Sequence, residues 1–80
     1  MTHFYFHIRD GTHLINDEEG IELPSSDHAR AQALVAARDM VAGAIKSNRD
    51  LGFDAVVIVD GQGNQITSVR AEEVLPKRLR

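Results

Sequence analysis

From His3 to Ile8 the chain alternates. Phe4, Phe6 and Ile8 are large and apolar, while His3, Tyr5 and His7 between them carry polar groups. A period of two predicts a strand with the Phe/Phe/Ile set on one face, toward a core, and the other set facing away. Arg9-Asp10-Gly11-Thr12 predicts a turn, because Asp-Gly supplies the backbone conformations a tight hairpin needs. His13-Leu14-Ile15 then returns as a second strand. Asn16-Asp17-Glu18-Glu19-Gly20 interrupts it with charge and a glycine, and Ile21-Glu22-Leu23 can resume the pairing beyond a bulge or turn. Pro24 closes the segment.

The period then changes. Ser25-Ser26-Asp27 is a helix start, with hydroxyl caps followed by an acid in the first turn. A helix is expected from about Asp27 to Lys46. At roughly 100° per residue, one face collects Ala29, Ala33, Leu34, Ala36, Ala37, Met40, Val41, Ala44 and Ile45. The alanines favour helix and let it lie close on a sheet. The opposite side gathers His28, Gln32, Val35, Asp39 and Lys46, and the Arg30 stem is expected along the core edge.

After a polar connector, Phe53 to Asp60 is the strongest strand signal, with β-branched residues from Val56 to Val59. Its alternation separates Phe53, Ala55, Val57 and Val59 from Asp54, Val56, Ile58 and Asp60. Asp60-Gly61-Gln62-Gly63-Asn64 is a glycine-rich turn, and Gln65 to Val69 returns as the last strand. A charged tail follows, with room for a helical turn over Ala71 to Leu75 before Pro76.

The expected architecture is therefore a two-layer α+β fold, β-β-α-β-β, with a four-stranded antiparallel sheet and one long helix on one face. One helix covers one face. The other face is expected to present Tyr5, His7, Val56 and Ile58, a candidate interface. The 80 residues allow one domain over 1–80, with a core of about 3–70 and a charged tail at 71–80.

Composition narrows the function classes. Hydrophobic residues make up 42% and charged residues 26%, as in globular proteins. The chain has no cysteine, which removes disulfides and thiolate metal sites and agrees with a reducing compartment. A formal net charge of −3 gives no global pull toward nucleic acid. The basic residues Lys77, Arg78 and Arg80 offer only a local phosphate contact. The start lacks the basic and apolar regions of a signal peptide, and no apolar run approaches the length of a membrane helix. The expectation is a cytoplasmic protein with no membrane association.

No residue pattern carries a catalytic signature, and no cofactor is implied. His3 and His7 share a strand face, but four residues of strand span roughly 13 Å, too far for one tetrahedral ion. A site joining His13 to one of them, with Asp54 or Asp60, depends on hairpin register. The stretch from Asp60 lacks the sixth-position glycine and closing glutamate of a calcium loop, and reads as a turn. Ser25 and Ser26 read as caps, not nucleophiles. Asp17, Glu18 and Glu19, with Glu22, form an acidic turn, either simply solvated or a docking patch for a partner.

Three segments, Phe4-Tyr5-Phe6-His7-Ile8-Arg9-Asp10-Gly11, Asp17-Glu18-Glu19-Gly20-Ile21-Glu22-Leu23-Pro24 and His28-Ala29-Arg30-Ala31-Gln32-Ala33-Leu34, occur in an order that resembles a family of short bacterial proteins known as a domain of unknown function. The resemblance covers nearly the whole chain and implies the same fold; it brings no activity or catalytic residue with it. A weaker likeness is to antitoxins of the HicB type, which also run hairpin, acidic-to-proline segment and alanine-rich helix. After Asp17 the chain departs from them, lacking their glycine/aromatic strand and their Pro-Gly-Cys-like turn. The expectation is a non-enzymatic interaction module that self-associates, most simply as a homodimer. The alternatives are an antitoxin-like or regulatory partner of another small protein, with nucleic-acid contact open to it, and, last, a small metal-binding or enzymatic domain.

Overall fold

A computed structural model describes residues 1–76 and shows an α+β domain. Its elements are β1 (Thr2–Asp10), β2 (His13–Ile15), β3 (Ile21–Leu23), α1 (Ser26–Lys46), β4 (Ala55–Asp60), β5 (Gln65–Arg70) and α2 (Ala71–Val74). The sheet order is β2-β1-β4-β5, with β3 also paired to β1, and every pairing is antiparallel. The two short strands share one flank of β1. β3 pairs along Thr2–Phe4 and β2 along Ile8–Asp10. The expected second strand is thus one strand position filled by two pieces. Lys77-Arg78-Leu79-Arg80, read from sequence as a basic tail, lies outside the described residues.

Ser25 caps α1: its hydroxyl oxygen accepts the His28 backbone N–H at 3.3 Å. The helix buries Ala29, Ala33, Ala37, Val41 and Ala44. Ala29 to Val41 falls on every fourth residue, one straight ridge laid on the sheet. Such a ridge is narrower than the arc expected from sequence. Leu34 and Met40 flank it half-buried, while Ile45 lies out in solvent.

Phe4, Val56, Ile58 and Val69 supply the sheet side of the core, with Phe6 and Ile8 packed against it. Here the structure corrects the expected interface. Val56 and Ile58 are fully buried beneath α1, not on the open face. The register decides this: Phe6 lies opposite Ile58 and Ile8 opposite Val56. Directly paired residues of antiparallel strands share a face, so the Phe/Phe/Ile set carries Val56 and Ile58 with it. Val57 and Val59 take the face of Tyr5 and His7.

One edge of the sheet is covered at a single point and the other is made of short strands. At β5, the Arg30 guanidinium donates to the Ser68 carbonyl at 3.4 Å and pairs with Glu73 at 3.2 Å. On the other side, β2 and β3 are three residues each. Short or covered edges resist strand-to-strand association.

Candidate interaction surface

The open face is built along β1. The rings of His3 and Tyr5 lie 5.0 Å apart at 51°, and those of Tyr5 and His7 lie 6.3 Å apart at 25°. Strand alternation makes this ladder, because His3, Tyr5 and His7 point the same way. Opposite them on β4 stand Val57, which is buried, and Val59, which is half-buried. The face is therefore aromatic and polar along β1, with Val57 and Val59 shielded and Leu14, opposite Arg9, exposed at its β2 edge.

The acidic turn divides into two kinds of residue. Asp17 is half-buried and tied into β1. Its carboxylate accepts the backbone N–H of Phe6 at 3.1 Å, of Glu19 at 3.2 Å and of Gly20 at 3.1 Å. Its own N–H donates to His7 Nδ1 at 3.0 Å, which leaves the His7 ring proton on Nε2. His3 Nε2 donates to the Glu19 carbonyl at 2.8 Å. Partial burial pushes the Asp17 carboxyl upward, but the N–H donors of Phe6, Gly20 and Glu19, with His7 nearby, outweigh it. The net result is a carboxyl held below its ordinary value. Glu18 and Glu19 point into solvent.

Other residues weighed for chemistry are engaged in local structure. The Ser25 hydroxyl and His28 Nδ1 share a hydrogen bond of 2.8 Å across the same capping turn. The Asp60 carboxylate accepts the N–H groups of Gln62 and Asn64, each at 2.9 Å, and so ties the β4–β5 turn. The Asn64 N–H foremost, and the other donors of that turn, hold the Asp60 carboxyl below its ordinary value. The Asp54 carboxylate accepts the Gly11 N–H at 2.6 Å. Register places His13 opposite Asp10, on the other face from His3 and His7, so the three do not converge. Among the described residues, no group of three or more His, Asp or Glu stands close enough to hold a metal ion.

Exposed apolar residues form two other tracts, which the sequence reading missed. At the β2–β3 margin, Ile15 is 59% exposed and Ile21 40% exposed. Ile15 pairs with Ile8 and Ile21 with Phe4, so both lie on the helix side of the sheet, beside half-buried Phe6 and Ile8. One helix is about 10 Å wide, while four strand positions about 4.8 Å apart span roughly 14 Å between the outer strand axes. On the outside of α1, Val35 is 50% and Ile45 55% exposed, with Ala31 and Ala42 exposed between and beyond them. The signals were present: Leu14-Ile15 sets two apolar residues side by side in a short strand, and Val35 breaks a polar helix face.

The fold and these surfaces define a small α+β domain, one long helix laid on an antiparallel sheet, whose chemistry lies at its exterior. The chain belongs to the family called domain of unknown function (DUF6894), whose model matches residues 3–72. No curated protein and no solved structure matches the chain. No helix among the described residues is long and apolar enough to cross a membrane.

Proposed function

We propose that this domain is a non-enzymatic protein-interaction module of the cytoplasm that self-associates. The observation that carries the reading is that large apolar side chains stand in water, side by side with half-buried ones at the β2–β3 margin. Ile15 and Ile21 lie beside Phe6 and Ile8, and Val35 and Ile45 lie along the helix. Adjacent apolar surface such as that of Ile15 and Ile21 beside Ile8 and Phe6 marks contact sites more often than isolated exposed residues do. The polar groups weighed for catalysis support the same reading, since Asp17, Asp60 and Ser25 are bonded to nearby backbone. Absence of cysteine agrees with a reducing cytoplasm. Sedimentation velocity from low to high micromolar concentration tests the proposal. A dimer or larger species is expected, and a monomer throughout removes self-association.

A second reading follows from the acids beside the β2–β3 margin. Glu18 and Glu19 are exposed in the loop joining Ile15 to Ile21, so an apolar strip carries an acidic rim. Such a rim suits a small protein partner with basic and apolar residues together, an antitoxin-like or regulatory pairing. Co-purification with the product of the adjacent gene, lost in a Glu18→Lys/Glu19→Lys variant, is the expected result. Retention by the charge-reversed variant ends this reading.

A further inference from the structure

The loop from Asn16 to Gly20 bridges the break between β2 and β3, and two histidines of β1 hold it in opposite ways. At its first end the Asp17 N–H donates to His7 Nδ1 at 3.0 Å, so that nitrogen must be bare. At its other end His3 Nε2 donates to the Glu19 carbonyl at 2.8 Å, so that nitrogen must carry a proton. Protonation therefore acts differently on the two contacts. Charged His3 keeps its Nε2–H on Glu19 and gains an Nδ1–H beside Glu22, whose carboxylate stands 4.0 Å away. Charged His7 sets an Nδ1–H against the Asp17 N–H; two donors face each other, and their bond is lost.

We infer that His7 and Asp17 form an acid-operated catch: with His7 neutral the Asp17 main-chain N–H holds the ring, and on protonation the ring turns its own N–H to the Asp17 carboxylate and lets that main chain go. Partial burial notwithstanding, the backbone donors of Phe6, Gly20 and Glu19 hold this carboxyl below its ordinary value, so it is charged on both sides of the change. The other groups about the ring do not replace it. Tyr5 stacks on His7 from the same strand, and Arg9, two residues on, offers no acceptor. Asp60 lines the same shallow cavity from the β4–β5 turn, but its carboxylate is occupied by the N–H groups of Gln62 and Asn64. From β4 and β5 this face receives Val57 and Ser68, which do not titrate. Because Asn16 and Asp17 directly follow Ile15, the catch resets the margin at which Ile15 stands exposed, while His3 keeps the Glu19 end in place. It operates within a single chain and does not depend on the proposed self-association.

Nitrogen NMR of the histidine rings and the backbone, from about pH 8 to about pH 5, where imidazoles change charge, is the test. At the upper end His7 is expected as the Nε2–H tautomer with Nδ1 bare. As His7 titrates, the Asp17 and Phe6 amide signals are expected to move with the same midpoint. Exchange protection of the Asp17 amide, corrected for the intrinsic rate, is expected to fall about fivefold, roughly the effect of losing one hydrogen bond. His7→Asn places an amide oxygen near the position of Nδ1, an acceptor that gains no proton in this range. It is expected to keep the Asp17 amide protected from one end of the range to the other. His3→Gln, which keeps a donor near Nε2, is expected to leave the change at Asp17 as in wild type. An Nδ1–H tautomer of His7 at the upper end overturns the catch. So does Asp17 protection that ignores the His7 titration, or that falls in His7→Asn as it does in wild type. Circular dichroism identifies any variant that has lost the fold, and the wild-type titration decides without it.

Discussion

The carboxylate of Asp17 accepts the backbone N–H of Phe6 at 3.1 Å. β2 pairs with one end of β1 and β3 with the other, so the middle of this flank has no strand beside it. A side chain takes the place of the missing strand. Unpaired backbone donors in a half-buried setting are costly, and one aspartate satisfies three of them.

Removing that acceptor is expected to be expensive for a surface turn. Asp17→Ala leaves the Phe6, Glu19 and Gly20 donors without it, and a loss of about 1–3 kcal/mol follows from that kind of deletion. Urea unfolding measures it, with Glu18→Ala as the control. Because Glu18 is exposed, its change is expected to stay within about 0.5 kcal/mol.

The same carboxyl makes stability depend on acid. Asp17 and Glu73 are both held below their ordinary values; for Glu73 the Arg70 backbone N–H is the main cause, with Arg30 adding to it. The unfolded chain therefore binds these protons more readily than the folded one. Their contribution is complete above the ordinary carboxylate range and is lost as pH falls through the lowered folded values. Thermal melts from neutral pH down into the acid range are expected to fall more gently for Asp17→Asn than for wild type. Parallel curves would show that Asp17 is not a source of the acid sensitivity.

Gly20 and Gly11 both have positive φ, at 66° and 62°, yet substitution is expected to affect them differently. A Cβ on Gly20 would lie 2.6 Å from His3 Nε2 and 2.7 Å from the Phe4 carbonyl, whereas on Gly11 it meets nothing within 4 Å. Gly11→Ala is expected to cost about 1 kcal/mol from backbone strain alone. Gly20→Ala adds the clash and is expected to cost about 2–4 kcal/mol. Equal losses in denaturant melts would contradict the packing of the acidic loop against β1.

The corrected face assignment has its own check. Ile58 is fully buried beneath α1, so Ile58→Ala is expected to cost about 2–5 kcal/mol. Ile15, though the same residue type, is mostly exposed, and Ile15→Ala is expected to cost under about 1 kcal/mol. Comparable losses at the two positions would mean that Ile58 does not lie under the helix.

The elements and their order could be read from the chain because each rests on local chemistry. Alternation at Phe4, Phe6 and Ile8 made the first strand and named its core face. The Ser25 hydroxyl placed the start of α1, and Asp60 with Gly61 and Gly63 placed the last turn. Family membership was legible on the same segments. The candidate surface was legible only in part. Tyr5 and His7 stand on the open face as expected, but Val56 and Ile58 do not.

What the sequence alone determined was periodicity: which residues share a side of their own strand or helix. What only the tertiary structure decided was which side meets which. From Ala55 to Ile58 every residue of β4 is buried, because neighbouring strands flank it and Val57 is shielded on the far face as well. A strand apolar on both sides offers no polar row to mark its outside, so only pairing with β1 could set its orientation. The same holds for Asp17, whose part in the fold exists only once β2 and β3 leave a gap on β1. It holds again for Ile15, left in water because a single helix is narrower than the sheet it covers, and for Val35, which the docking of α1 turns away from that sheet.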